Sequence, residues 1–262
     1  WLPLHGFDYA ETPLWAGIYL LPLTAGFLLA GPLSGHLSDR FGTRALATSG
    51  LGLVAASFLG LLALPVNFRY PEFAALLVLS GIGQGMFSAP NTSAIMSSVP
   101  VTQRGVASGM RSTFQNSGTS LSIGVFFSLM IAGLATSLPA TLSAGLQAQG
   151  VPTSVAAGAA HLPPVSTLFA AFLGANPIGH LLEPTGVLAH LPAPQVAVLT
   201  GTRFFPQLIS APFHHGLVIV FTAAAIMATI AALASLLRGQ ASSGRRTGYA
   251  QRSTTGPPRP DR

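Results

Sequence analysis

The chain has 262 residues, of which 50% are hydrophobic and only 7% are charged, with 29 glycines, 21 prolines and no cysteine. Because a soluble domain carries about 25% charged residues, this composition excludes a soluble enzyme, a disulfide-stabilised secreted domain, a thiolate metal site and a disordered polar chain. The composition is that of an integral membrane protein, and its formal net charge is +6.

Five stretches are long and apolar enough to cross a bilayer, which takes about 20 residues whose backbone groups are all satisfied within the segment. None has a charged side chain in its central turns. In chain order the predicted spans are residues 13–34, 45–64, 72–97, 110–134 and 213–237. The sequence therefore predicts an all-α integral membrane fold with five transmembrane helices.

The connections between the spans divide the chain into four parts. These are four transmembrane helices at 1–134, a long loop at 135–212, the last transmembrane helix at 213–238 and a basic, disordered tail at 239–262. A short polar turn is expected at 35–44. Prolines keep every apolar run of the long loop below spanning length, although short amphipathic pieces at 166–173 and 178–182 suit a membrane surface.

The twelve basic side chains are all arginines and indicate the orientation. Because the connections of five spans alternate between the two sides, ten arginines fall on the side of the 35–44 turn, the 99–109 connection and the C-terminus. Only Arg69 and Arg203 fall on the other side. The positive-inside rule then predicts a multi-pass cell-membrane protein with a cytoplasmic C-terminus and an external 135–212 loop. This asymmetry explains the high isoelectric point without a nucleic-acid partner.

The segment between the first two spans is the most specific motif. Residues 31–44 read Gly-Pro-Leu-Ser-Gly-His-Leu-Ser-Asp-Arg-Phe-Gly-Thr-Arg. They resemble the cytoplasmic signature of the major facilitator superfamily, a family of membrane transporters. The resemblance implies a conformational latch formed by Gly35, Asp39, Arg40, Gly42 and Arg44. The alternative is an ordinary positively charged loop with a capping aspartate, since a carboxylate at a helix end gains only about 0.3–1 kcal/mol when exposed.

Later segments extend this resemblance over residues 12–238. The G-x-G-x-G run at 81–85, the R-G-x-A-S-G run at 104–109 and the Q-x-x-G-x-S-L run at 115–121 are similar to the late helices of the fourteen-helix drug:proton antiporters. The resemblance implies that the chain corresponds to the last five helices. It also implies proton-coupled efflux of drugs or small metabolites by alternating access, with a lipid bilayer, a small-molecule substrate and an N-terminal transporter half as partners.

Small and polar residues of the third and fourth spans are candidate functional positions. Gly81, Gly85 and Ala89 recur every four residues and predict close helix packing in lipid. Polar side chains at membrane depth usually face a bundle interior or a watery cavity. The candidates for a substrate path are Gln84, Asn91, Gln115 and Asn116. The alternative for these four is hydrogen bonding that holds helices together.

The sequence offers no catalytic, cofactor or metal site. Ser/His/Asp sets and H-E-x-x-H motifs are absent, and the external histidines lack ligand spacing. All six acidic residues map to loops, helix ends or the tail. Because the family places its proton-coupling acids in the N-terminal half, the chain alone is not expected to carry out coupled transport.

Two other functions remain open at this stage. The chain opens with Trp1, in a segment that the orientation places outside, so we expect it to be the C-terminal part of a larger permease. It is alternatively a stand-alone five-helix partner or regulatory protein without transport activity. A major-facilitator importer is the other alternative, since the direction of transport rests on the family resemblance.

Overall fold

The structure is a computed structural model that describes residues 2, 11–65, 67–172 and 175–237. The predicted basic tail at 239–262, Arg238 and most of the N-terminal segment lie outside the described residues. The α-helices of the described part are α1 (Thr12–Tyr19), α2 (Leu21–Phe41), α3 (Thr43–Ala63), α4 (Tyr70–Ser97), α5 (Arg104–Ala148), α6 (Thr153–Ala159), α7 (Pro164–Phe172), α8 (Ile178–Leu182), α9 (Ala193–Thr200) and α10 (Phe204–Leu237).

Five helical stretches of this described part have the length and apolar composition to cross a membrane. They are Thr12–Phe41, Thr43–Ala63, Tyr70–Ser97, Val101–Ala148 and Phe204–Leu237. Each corresponds to one span predicted from hydropathy. The prediction of an all-α membrane fold with five spanning helices is confirmed.

The first span is interrupted near its start. α1 ends at Tyr19 and α2 begins at Leu21, with Pro22 in the first turn of α2. Proline has no backbone N–H to donate to the preceding turn, so the chain restarts its hydrogen bonding there. The break at Leu20 is the structural consequence of Pro22, which the sequence places within a span.

The connection between α2 and α3 is much shorter than the expected turn at 35–44. α2 continues to Phe41, α3 begins at Thr43, and only Gly42 separates them. Gly42 has φ of +83°, a conformation that glycine adopts without the steric cost of a side chain. Its N–H donates to the carbonyl oxygen of Ser38 at 3.0 Å, which closes the last turn of α2. Most of the signature is therefore helical.

α4 is the central helix of the bundle. It packs against α2 on one side and α3 on the other, while α10 packs against both α3 and α5. The Thr48 hydroxyl of α3 donates to the Ser235 hydroxyl of α10 at 2.8 Å, and Phe58 and Phe221 bring their rings to 6.1 Å. α10 therefore connects the α2–α4–α3 layer to α5.

The C-terminal end of α5 and the N-terminal end of α10 extend well beyond the predicted spans. α5 runs to Ala148 rather than to 134, and α10 begins at Phe204 rather than at 213. Four leucines at four-residue spacing explain the longer α5, since they form one fully buried stripe. These are Leu134, Leu138, Leu142 and Leu146, each at most 1% exposed.

The segment between these two helices is folded, where the sequence indicated a long loop at 135–212. α6 to α9 cover the leucine stripe of α5 and the start of α10, and we call residues 134–209 the cap. Its core also contains Ile178, Leu182, Leu199, Phe205 and Ile209, all at most 4% exposed. Ile178–Leu182, which was expected to suit a membrane surface, is thus in the core because both end residues are fully buried.

The Asn176 side chain links two segments of the cap by hydrogen bonds. The Nδ2 group of Asn176 donates to the carbonyl oxygens of Leu199 and Gly201, at 2.7 and 2.8 Å. Its Oδ1 accepts a hydrogen bond from the Ile178 N–H at 3.0 Å. These bonds join the start of α8 to the end of α9 and satisfy backbone groups that helix ends leave open.

Candidate functional site

The α2–α4 contact depends on glycine. A Cβ atom on Gly85 would lie 2.9 Å from the Phe27 carbonyl oxygen, and one on Gly81 would collide with the Leu23 carbonyl oxygen. Conversely, a Cβ on Gly26 of α2 would lie 2.5 Å from the Val78 carbonyl oxygen. The two helices therefore approach backbone to backbone, a packing mode favoured where lipid supplies no hydrophobic driving force.

A cross-helix hydrogen bond accompanies this contact. The buried Ser34 hydroxyl lies within hydrogen-bond distance of two carbonyl oxygens, that of Gly31 in its own helix at 2.9 Å and that of Gly85 in α4 at 3.1 Å. Ala89, the third member of the predicted small face, is half-buried. Sequence reasoning did not single out Ser34 or Gly26, because neither stands in a repeated pattern.

Gly83, the middle glycine of the G-x-G-x-G run, allows α3 to approach α4 closely. A Cβ on Gly83 would lie 2.6 Å from the Gly50 carbonyl oxygen of α3 and 2.9 Å from the Val54 nitrogen. Residues two apart on a helix are separated by about 200°, so Gly83 faces away from Gly81 and Gly85. The run therefore lets α2 and α3 approach α4 from opposite sides, a role that its alternating spacing could have revealed.

The polar residues of α4 lie on a side between these two contacts. Gln84 is exposed and its Nε2 group donates to the buried Ser80 hydroxyl at 3.4 Å. Asn91 lies two turns further along nearly the same line and is half-buried. The structure thus places Gln84 and Asn91 on one side of the central helix, between the faces that contact α2 and α3.

The N-terminal half of α5, residues 104–126, is called its inner half here and carries a polar stripe and an apolar stripe. Helical spacing aligns the polar residues on one face. These are Arg111, Gln115, Thr119 and Ser122. Thr119 and Ser122 donate to carbonyl oxygens within the helix, at 2.9 and 2.7 Å, whereas the Gln115 side chain is exposed. Phe114 and Leu121 lie on another face and are 72% and 70% exposed.

Gln115 and Asn116 do not share a face. Neighbouring residues of an α-helix are about 100° apart, so Asn116 lies beside the stripe that contains Gln115. Both side chains are exposed. α5 contacts α4 only marginally, and its contacts with α10 include the outer-half pair Gly133 and Gly216, where a Cβ on Gly133 would lie 2.8 Å from the Gly216 Cα atom.

The signature residues gather at the junction of α2 and α3. Asp39, Arg40 and Arg44 are exposed, and within the described ranges no salt bridge includes Asp39. The Arg40 guanidinium lies over the Phe41 ring, 5.6 Å from its centroid. A Cβ on Gly35 would meet no atom within 4 Å, so this glycine does not mark a close helix contact.

Titratable side chains are sparse in the spanning helices. The described carboxylates lie at helix ends or in connections. They are Glu11, Asp39, Glu72 and Glu183. Over the residues that the structure describes, no group of three His, Cys, Asp or Glu side chains is close enough to hold a metal ion.

The chain matches one family model and several known proteins. The family model described as Major Facilitator Superfamily matches residues 1–123. The chain is 30% identical over 145 residues to the methyl viologen resistance protein SmvA of Salmonella typhimurium strain LT2, a match that covers 55% of this chain and 29% of SmvA. It is 27% identical over 239 residues to the tetracenomycin C resistance and export protein of Streptomyces glaucescens, covering 91% of this chain and 39% of that protein.

A third relative is a mycobacterial protein. The multidrug resistance protein Stp of Mycobacterium tuberculosis strain H37Rv is 33% identical over 130 residues, covering 48% of this chain and 24% of Stp. The chain thus spans between 24% and 39% of the length of these three relatives. No solved structure matches the chain significantly.

Proposed function

We propose that this chain belongs to the major facilitator superfamily, whose model matches residues 1–123, and that it exports small molecules as part of a multi-pass membrane transporter, since three similar proteins are named for resistance or export. The proposed mechanism is alternating access, in which two helical bundles rock about a central site. The described helices form part of one bundle. The cell membrane, with the C-terminus on the cytoplasmic side, is the proposed location.

The observation that carries this proposal is the inner half of α5. The Gln115 amide is exposed in a membrane-spanning helix, where an amide that faces lipid is costly. Thr119 and Ser122 extend the same polar face, although their hydroxyls are satisfied by carbonyl oxygens of the helix. An aqueous path accounts for this polar face. We propose that this stripe, with Gln84 and Asn91 of α4, faces the substrate path. Asn116 is a weaker candidate, because it lies beside the stripe.

A second helical bundle is the proposed partner of this α5 surface. The matches cover between 24% and 39% of these relatives, so most of each relative lies outside the part that this chain resembles. Such a bundle would cover the exposed inner half of α5 and enclose the path. We also assign proton coupling to it, because the described carboxylates stand at helix ends and in connections rather than at membrane depth.

We propose that the junction of α2 and α3 acts as a conformational latch. Asp39, Arg40 and Arg44 form an exposed cluster of opposite charges whose carboxylate is unpaired within the described chain. Gly42, with its positive φ, allows the sharp reversal that brings these charges to one place. In one state of the transporter, Asp39 would meet an arginine or helix end of the companion bundle, a gain of up to about 2 kcal/mol when partly buried.

Export is tested with methyl viologen as the probe, in cells that produce the polypeptide containing this chain. We expect energised cells to accumulate less probe, and we expect a protonophore to abolish the difference. Gln115→Leu should reduce export at equal expression. The matched control is Phe114→Leu, one residue away on the apolar stripe, which should leave export unchanged.

The same assay separates the alternatives. Greater accumulation of a probe in producing cells would indicate an importer. Equal accumulation for methyl viologen and for a panel of unrelated cationic and neutral dyes would favour a membrane partner protein without transport activity. Equal loss of export in the Gln115→Leu and Phe114→Leu variants would contradict the placement of the path along the polar stripe of α5.

A further inference from the structure

The α7 helix of the cap has large apolar side chains on its outward face as well as on the face that packs against the cap core. Thr167 is only 1% exposed, and its hydroxyl donates to the Pro163 carbonyl oxygen at 3.1 Å. Val165 and Phe169 are 41% and 52% exposed. Residues four apart lie on one face of a helix, so these two side chains form a continuous apolar surface directed away from the cap. The surface helix of a water-facing domain has charged and polar side chains on its outward face instead.

The rest of α7 is fixed to the cap. Leu168 and Ala170 pack against the cap core, and α7 contacts α5. The outward position of Val165 and Phe169 therefore follows from the fold of the cap and does not depend on a rotation of a free helix. Contact with an apolar environment would be favourable here, because it would remove two large hydrophobic side chains from water.

The length of α5 places the cap at the membrane boundary. Its 45 residues span about 68 Å, whereas the hydrocarbon core is about 30 Å thick and takes about 20 residues. Arg111 is the last charged residue of α5 and belongs near one edge of the hydrocarbon. Twenty residues further along, at about Ile131, the helix reaches the other edge, so the leucine stripe from Leu134 begins in the interfacial layer.

The composition of the cap fits contact with lipid. No Asp, Glu, Lys or Arg occurs between Arg111 and Glu183. Residues 149–182 of a water-exposed domain would carry about eight charged side chains at ordinary frequencies. The charged residues of the cap come later, at Glu183 and Arg203. The cap therefore has an uncharged part that includes α7 and a more polar part after α8.

We propose that the α7 surface formed by Val165 and Phe169 inserts into the lipid leaflet on the side of the cap. The α7 helix would lie at the boundary of headgroups and acyl chains, as interfacial amphipathic helices do. Insertion fixes the cap, and with it the outer ends of α5 and α10, relative to the membrane plane. The inference rests on the spanning helices and stands whether or not the chain exports small molecules.

Spin labels on single cysteines test this insertion, since the chain has no cysteine of its own. Labels would be placed at Val165→Cys and Phe169→Cys in the 262-residue chain, reconstituted in phosphatidylcholine–phosphatidylglycerol nanodiscs. Ala189→Cys is the matched control, an exposed position in the Val187–His190 turn of the polar part. All three positions are exposed, so labelling is compatible with folding.

Molecular oxygen dissolves in lipid and a neutral nickel chelate stays in water, so their collision rates report the surroundings of each label. At 165 and 169 we expect oxygen to collide more often than nickel, with the reverse order at 189. A water-like ratio at 169, equal to that at 189, would overturn the proposal. An immobilised label shielded from both probes would also overturn it, because that result indicates a protein partner or a second copy of the chain.

Discussion

At the scale of single residues, backbone contacts distinguish glycines that look alike in the sequence. Gly85 and Gly52 both lie inside spanning helices, but a Cβ on Gly85 would lie 2.9 Å from backbone atoms of α2, whereas one on Gly52 would meet nothing within 4 Å. The four-residue spacing of Gly81 and Gly85 made the α2 contact predictable. The α3 contact of Gly83 was not predicted, although its alternation with Gly81 and Gly85 puts it on the opposite face of α4.

Gly85→Ala should destabilise the bundle. The added methyl group forces α2 and α4 apart, and overpacking of this kind costs about 1–3 kcal/mol. Gly52→Ala is the matched control, because it adds the same methyl group in open space and gains helix propensity of up to about 1 kcal/mol. Thermal unfolding of both variants in one detergent should give a lower midpoint for Gly85→Ala alone. Equal midpoints for the two variants would contradict the packing described.

Asp39→Asn should slow transport if the latch operates. The substitution removes the charge but keeps the size of the side chain at the end of α2, so the helix should fold as before. His36→Gln, at an exposed position one turn earlier, is the control and should have no effect. Export by the Asp39→Asn variant at the wild-type rate and at equal expression would exclude the latch.

At the scale of elements, the spanning helices were predictable and the cap was not. Hydropathy identifies spans because every backbone group in lipid must be satisfied within the helix. In the cap, the same prolines that rule out a span stand at helix starts: Pro164 begins α7, and Pro152 and Pro192 immediately precede α6 and α9. Proline is well suited to the first turn of a helix, so prolines here separate short helices instead of marking an irregular loop.

Leu142→Ala should loosen the cap. Leu142 is fully buried in the cap core, and truncation of such a side chain costs about 2–5 kcal/mol. Leu121→Ala, on the same helix but 70% exposed, makes the control. Amide hydrogen exchange across 153–200 in nanodiscs should accelerate for Leu142→Ala and stay unchanged for Leu121→Ala. Rapid exchange across this segment in the unmodified chain would mean that the cap is not folded.

At the scale of the whole molecule, the arginine distribution predicts which ends of the helices lie in the cytoplasm. Thr102→Cys, in the exposed connection between α4 and α5, and Ser154→Cys, in α6 of the cap, should therefore lie on opposite sides. In intact cells an impermeant maleimide should label Ser154→Cys at once and Thr102→Cys only after permeabilisation. Labelling of both positions in intact cells would contradict the orientation.

The architecture leaves one helix of the bundle partly uncovered. α4 is enclosed by α2 and α3, and α10 joins that layer to α5, but the inner half of α5 projects polar and apolar side chains that the described chain leaves exposed. The sequence predicted candidate substrate-path residues on two helices, and both Gln115 and Asn116 were among them. Only the helical geometry separates these neighbours, because a difference of one residue turns a side chain by about 100°.

The central claim is that the polar stripe of α5 faces water in the assembled transporter, and thiol accessibility along α5 tests it most directly. Single cysteines at Gln115 and Ser122, on the stripe, and at Phe114 and Leu121, on the apolar face, would be reacted with a small charged thiol reagent in native membranes. We predict reaction at 115 and 122 and protection at 114 and 121. Protection at all four positions, or faster reaction at 114 and 121, would contradict the account.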